Sequence, residues 1–168
     1  MCENVEKDYM VMLLIIGGSL LSILIFVRKK NIRKALLAFF AAQLFTWPIG
    51  LLLTLFGKVE YPIRLFPKAI DSSFLHGYIL NPTIYALYYI HYPKHVKLIW
   101  RWVYTLTISA IPIFIEIIEN KYTNLLKYKN WSAYKTWMLV LIIYFIVRKY
   151  LDWFFNNTAK QGVTRNED

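Results

Sequence analysis

Five apolar runs, each close to the roughly 20 residues that a helix needs to cross a bilayer, decide what this chain can become. The first is "YMVMLLIIGGSLLSILIFV" (9–27) and the second "ALLAFFAAQLFTWPIGLLLTLF" (35–56). The third, "FLHGYILNPTIYALYYIHY" (74–92), is the most polar, with His76, Asn81 and Pro82 in its first half. The fourth is "LIWRWVYTLTISAIPIFIEII" (98–118) and the fifth "TWMLVLIIYFIVRKYLDWFF" (136–155). The expected fold class is all-α: an integral membrane helical bundle of about five transmembrane helices. Residues 1–8 then form a short extracytoplasmic N-terminus, and the polar stretch 156–168 reads as a disordered cytoplasmic tail.

Charge agrees with this reading. Charged residues make up 18% of the chain, against about a quarter in soluble domains, and the mean hydropathy is +0.40. The net charge of +10 does not point to nucleic acid, because the basic residues sit at the ends of the apolar runs and form no face on a soluble domain. The expected partners are the lipid bilayer and anionic headgroups at the cytoplasmic face, with no nucleic acid and no cofactor. Cys2 lies upstream of the first run, whereas a lipoprotein cysteine follows such a run. The first run is too long for a signal-peptide core, and "RKKNIRK" after it reads as a stop-transfer flank.

Orientation follows from Lys and Arg near the span ends. One side carries Arg28, Lys29, Lys30, Arg33, Lys34, Lys94, Lys97, Arg101, Arg148, Lys149, Lys160 and Arg165, 12 in all. The other carries eight, from Lys7, the 57–73 connection and the 119–135 connection. The bias favours N-terminus out and C-terminus in.

Two stripes mark helix faces. Ala38, Ala42, Thr46, Gly50 and Thr54 recur every four residues, and small residues at that spacing let helix backbones approach closely in lipid. They predict a packing seam. Arg101, Thr105, Ser109, Pro112, Glu116 and Glu119 or Asn120 recur at three or four and share one face of the fourth span. A polar face on a membrane helix belongs in the bundle interior or a wet cavity, and Asn81 and Tyr85 of the third span are expected partners. Tyr88, Tyr89 and Tyr92 read as an interfacial aromatic belt. Arg148 and Asp152, four apart, read as a local pair snorkelling to the headgroups.

The connection "KVEYPIRLFPKAIDSS" (58–73) carries five charges and two prolines between two apolar spans. It reads as an amphipathic interfacial segment, a solvated loop, or a lid that docks Arg64 on Glu116 or Glu119, since Arg presents the fork that suits a carboxylate. No nucleophile elbow and no phosphate-cradling glycine loop occurs. His76, His91 and His95 are scattered, and a metal site would need Glu116 or Glu119 to join His76.

The stretches at 43–66, 81–93 ("NPTIYALYYIHYP"), 116–137 ("EIIENKYTNLLKYKNWSAYKTW") and 147–155 ("VRKYLDWFF") resemble an uncharacterised family of small multi-pass membrane proteins from spore-forming Firmicutes. The resemblance covers about residues 30–155 and rests on patterns such as "EYPIRLF" and "KYTNLLKY". It implies a bacterial membrane location and a helical bundle, and it carries no catalytic residue.

Three functions remain in view: a non-enzymatic accessory or structural membrane component, a small permeation or lipid-handling protein using the polar stripe, and an intramembrane enzyme using Glu116 and Glu119 as acid and base. They differ in whether the stripe lines a water-filled cavity or closes on other side chains.

Overall fold

A computed structural model describes residues 2–65, 68 and 71–164. It contains α1 (Cys2–Phe26), α2 (Ile32–Leu55), α3 (Asn81–Ile90), α4 (Leu98–Tyr122) and α5 (Ala133–Thr164), with β1 (Val59–Glu60) and β2 (Lys127–Tyr128) in the connections before α3 and before α5. Three helical stretches are long and apolar enough to cross a membrane: Glu6–Phe26, Lys29–Leu55 and Leu98–Tyr122. Large apolar side chains on α1, α2, α4 and α5 face outward, among them Leu24, Phe40, Leu55 and Phe114, each more than half exposed. A soluble protein rarely exposes so much contiguous apolar surface, and hydrocarbon is the solvent that suits it.

Helix α3 is the hub. It buries Pro82, Thr83, Tyr85, Ala86, Tyr88 and Tyr89, and its tyrosines join Ala38 and Ala42 of α2, Ile113 of α4, and Val140, Ile143, Tyr144 and Val147 of α5 in one core. The belt expected of Tyr88 and Tyr89 is therefore corrected: they are 1% and 6% exposed, because α3 is walled by other helices. Ahead of α3 the helix widens into a π-turn, Leu75–Leu80, in which Asn81 N–H reaches back five residues to the His76 carbonyl. Pro82 explains the widening. Five residues after Gly77, it has no N–H to give to the Gly77 carbonyl. The hydroxyl of Thr46 in α2 donates there instead, at 2.9 Å, as a neighbouring helix must where backbone is freed inside a membrane.

The seam of α2 meets this same region. Ala38 and Ala42 are fully buried, and a Cβ added at Gly50 would stand 3.1 Å from the Ser72 hydroxyl. Thr54 is turned back onto the Gly50 carbonyl at 2.9 Å. Gly57, at φ 62°, ends α2. Lys58 N–H bonds to the Leu53 carbonyl and Gly57 N–H to that of Thr54, the paired bonds of a Schellman cap that turn the chain back over the bundle.

The returning chain forms a short antiparallel ribbon. Val59 pairs with Tyr128 and Glu60 with Lys127, and Ile63 N–H extends the contact to the Asn124 carbonyl at 3.2 Å. The connections before α3 and before α5 therefore lie at one end, called the ribbon end. Asp8 near the start of α1 is there too, 2% exposed, accepting the Asn124 backbone N–H at 3.2 Å and its amide at 3.3 Å. At the opposite end Phe26 of α1 meets His91 beyond α3.

Two boundary expectations change. Residues 2–8 continue α1 rather than preceding it. Residues 156–164 continue α5, since no proline interrupts them, and 165–168 lie outside the described residues.

Candidate functional site

Helix α4 does turn its polar stripe inward, and the stripe is consumed step by step. Thr105 is buried, donating to its own Arg101 carbonyl at 2.8 Å and meeting the Tyr88 hydroxyl at 3.1 Å. Ser109 is fully buried and accepts the Trp137 indole N–H of α5 at 3.0 Å. Pro112 follows on the same buried face. Glu116 accepts the Tyr128 hydroxyl at 2.7 Å. Glu119 takes His76 Nε2 at 2.6 Å. Asn120 accepts the Tyr128 backbone N–H with its side chain at 3.2 Å and Lys127 Nζ with its carbonyl at 2.9 Å.

Arg101 leaves the stripe. One turn into α4, its guanidinium bends back to the carbonyls of Val96 and Lys94. A long stem near a helix end reaches polar loop atoms more cheaply than it enters the interior.

The densest chemistry lies at the ribbon end, around His76. The π-turn carries this ring inward, where it is 3% exposed. Its Nδ1 meets the Ser73 hydroxyl at 2.8 Å, and its backbone N–H gives a longer bond to the same oxygen at 3.3 Å. Ser73 is thus the N-cap of the helix that begins at Phe74. A carboxylate only accepts, so Nε2–H donates to Glu119, while Nδ1 and the Ser73 hydroxyl share the second bond. The Tyr61 ring lies 5.9 Å from His76, itself 7% exposed. Burial first, and then the charge of Glu116, hold the hydroxyls of Tyr61 and Tyr128 well above the usual tyrosine range. Both stay protonated, and Tyr128 stays a donor.

Between these groups is a cavity of about 50 Å³, bordered by Thr46, Tyr61, Ser72, Ser73, Asn81 and Glu116 among others. One or two waters fill such a space, at about 30 Å³ each. Sites for organic ligands run to several hundred Å³. Asn81 Oδ1 and Glu119 Oε1 are buried with no partner among the described residues, and Asn81 borders this cavity. Among the described residues no three His, Cys, Asp or Glu side chains converge as a metal site requires: His76 and Glu119 meet as a pair.

The Ser73–His76–Glu119 line has the residue types of a nucleophilic relay, but its wiring is that of a helix cap. The serine sits one turn from its histidine and already accepts a backbone N–H. The cavity that Glu116 borders is itself water-sized, and Val59 and Tyr61 separate it from a larger pocket beside the ribbon.

The lid expectation is right about the segment and wrong about the anchor. Residues 58–63 do fold back over the end of the stripe. Arg64, however, donates to the Asp71 carboxylate at 2.8 Å and to the Asp71 carbonyl at 2.9 Å, closing a loop within its own connection. Tyr61 and Tyr128 are what reach the interior, since a neutral phenol is cheaper to bury than a guanidinium. The Arg148–Asp152 pair is also corrected. Arg148 donates to the hydroxyls of Tyr88 and Tyr92 and lies over the Tyr92 ring at 4.6 Å. Asp152 pairs with Lys94 at 3.0 Å and accepts Tyr89 at 3.3 Å.

Ser73, Tyr61, Tyr128 and Asp8 escaped the sequence reading. The spacing Ser73-x-x-His76, a cap followed at N3 by a ring, was the one available signal for the first. No protein-family model, curated protein or solved structure matches the chain.

Proposed function

We propose that the chain is a five-span protein of the bacterial cell membrane, N-terminus outside and C-terminus in the cytoplasm, acting as a non-enzymatic accessory or structural component. The five helices alternate between two ends, and the end opposite the ribbon carries the larger share of Lys and Arg, which supports that orientation. The observation that carries the functional reading is the closure of the α4 stripe: Thr105, Ser109, Glu116 and Glu119 each end on another side chain. Polar groups satisfied in this way specify which helices pack together.

Reconstitution into sealed vesicles tests this. Proton and small-ion flux should match that of protein-free vesicles. Flux above that level, abolished by Glu119→Gln, would replace the structural reading with permeation. Separate fusions of alkaline phosphatase and a fluorescent protein to the C-terminus test the orientation. A dark fluorophore with high phosphatase activity would reverse it.

The lipid-handling reading has one observation in its favour, and it lies away from the stripe. A larger pocket opens beside the ribbon against outward leucines of α2.

A further inference from the structure

Helices α1 and α4 are tied at the ribbon end, where Asp8 holds Asn124 just beyond α4. Farther along, α1 packs on the π-turn and α3 rather than on α4. Between α1 and α4 runs a furrow of about 730 Å³ with α3 as its floor. One wall is Leu14, Gly18 and Ser22, a single face of α1 at steps of four, and the other is Ile108, Ile111 and Ile115 of α4. The Ser22 hydroxyl is turned onto the Ser19 carbonyl of its own helix at 2.8 Å, so the wall it forms is apolar in effect. A Cβ added at Gly18 would meet nothing within 4 Å. Leu14 and Ile111 are exposed, so the furrow opens sideways to whatever surrounds the bundle.

Size and charge select the occupant. From Val11 to Phe26 the furrow follows α1 for about 22 Å, at about 1.5 Å per residue. Its volume over that length gives a mean section of roughly 33 Å², whereas a helix about 10 Å across with its side chains needs roughly 80 Å². A helix of a second copy does not fit within it. A hydrocarbon chain, whose carbons pack about 4 Å from their neighbours, does. The furrow ends on Phe26, His91 and Tyr104, and the Phe26 and His91 rings are 6.5 Å apart. From that point the chain leaves α1 into Arg28, Lys29 and Lys30, and leaves α3 into a turn holding Lys94 and Lys97. Neither 27–34 nor 91–104 contains an Asp or a Glu. Lys94 is paired with Asp152. Arg28, Lys29, Lys30 and Lys97 are exposed, and none pairs with a carboxylate among the described residues. This mouth offers reachable, uncommitted cations and no carboxylate of its own segments to receive an ammonium. Its complement is an acyl chain that carries net negative charge.

We propose that the furrow holds one anionic phospholipid with the charge of phosphatidylglycerol. One acyl chain lies past Gly18 between α1 and α4, the phosphate meets the cations of Arg28, Lys29, Lys30 and Lys97, and the second chain stays in the surrounding bilayer. The inference rests on α1 and α4 lying in a membrane. The orientation proposed above only decides which leaflet supplies the lipid.

Native mass spectrometry of the full chain in detergent, with added dioleoyl phosphatidylglycerol or dioleoyl phosphatidylethanolamine, reads the binding. One phosphatidylglycerol per chain should be retained, at least fivefold over phosphatidylethanolamine at equal concentration. Gly18→Leu fills the furrow from a position where the fold leaves room, and should cut that retention at least fivefold without lowering the melting temperature in detergent. Lys29→Gln with Lys30→Gln changes exposed side chains only, so it serves even where Gly18→Leu fails to fold. It should bring the preference for glycerol over ethanolamine below twofold. Equal retention of the two lipids by the unaltered chain, or an unchanged preference in the lysine variant, would overturn the proposal. Undiminished retention by a folded Gly18→Leu would leave adsorption to the basic loops alone and overturn it too. So would a dimer that Gly18→Leu dissociates, which would hand the furrow to a second copy. Alkaline carbonate extraction of cell membranes checks the underlying reading separately: release of the chain into the soluble fraction would remove α1 and α4 from the membrane, whatever the lipid arm gives.

Discussion

At the ribbon end the carboxylates of α4 lie inside the bundle, whereas at the opposite end a guanidinium of α5 does. Glu116 and Glu119 are 4% and 1% exposed. They are met by a phenol and an imidazole brought from two other segments. Arg148 is half-buried and is met by two tyrosine hydroxyls and a ring face. The guanidinium rides a long stem and, half-buried, keeps a route to water. The carboxylates are short and deep, so every donor must be placed by the fold. The ribbon end should therefore be the less forgiving of the two.

The largest expected effect tests that ranking. Glu119→Ala leaves His76 without its acceptor and should cost about 3 kcal/mol, as breaking a buried pair does, with Glu119→Gln costing less than half as much. Thermal or denaturant unfolding in detergent measures both. A cost equal to that of Arg148→Ala would dissolve the difference between the ends. Next, Gly50→Leu drives a side chain into Ser72 beside the same cluster and should cost about 2 kcal/mol, the usual scale of overpacking. Leu52→Ala, on the outward face, should cost less than about 0.5 kcal/mol in the same melts. If the two cost the same, α2 packs through another face.

At the opposite end Arg148→Lys keeps the charge but loses the planar fork shared by two hydroxyls and a ring, and should cost about 1 kcal/mol. A loss as large as that of Glu119→Ala would show that no route to water exists there. A smaller signal lies in alkaline solution. Free tyrosine ionises near pH 10, while Tyr61 and Tyr128 hold their protons more tightly in the fold. The unfolded chain loses those protons first, so stability is level below about pH 10 and falls as pH rises above it. Tyr61→Phe with Tyr128→Phe should flatten that fall in melts between pH 8 and 11. An unchanged slope would assign it to other groups. The smallest expected effect is a coupling near zero. Arg64→Ala and Glu116→Ala should be additive within about 0.5 kcal/mol, since Arg64 is spent on Asp71. A larger coupling would bring the arginine back to the carboxylates.

The apolar runs and the two stripes were legible because hydrocarbon imposes one solution on backbone polarity. The spacing of Thr46 and Gly50 marked a close approach, and that of Thr105 to Glu119 marked an inward face. Partner choice was not legible. His76 for Glu119 and Tyr128 for Glu116 depend on a proline-driven widening of the helix before α3 and on the register of a two-residue ribbon, and neither has a periodic signature. Arg64 failed as a partner for a similar reason: Asp71, seven positions along an irregular connection, was nearer in space than any helix-based spacing indicates.

The contact between Asp8 and Asn124 spans 116 positions of sequence, and it sets a schedule for biogenesis. The first helix enters the membrane early, yet the donors for its buried carboxylate are made only after the fourth helix. At about 5–20 residues per second the wait is on the order of ten seconds. During that interval Asp8 must remain hydrated, and Met12 lacks its neighbour Leu125. The contacts of the first helix are thus completed only after the fourth is made, and a nascent chain stalled before residue 124 should leave Asp8 open to water-soluble labelling reagents.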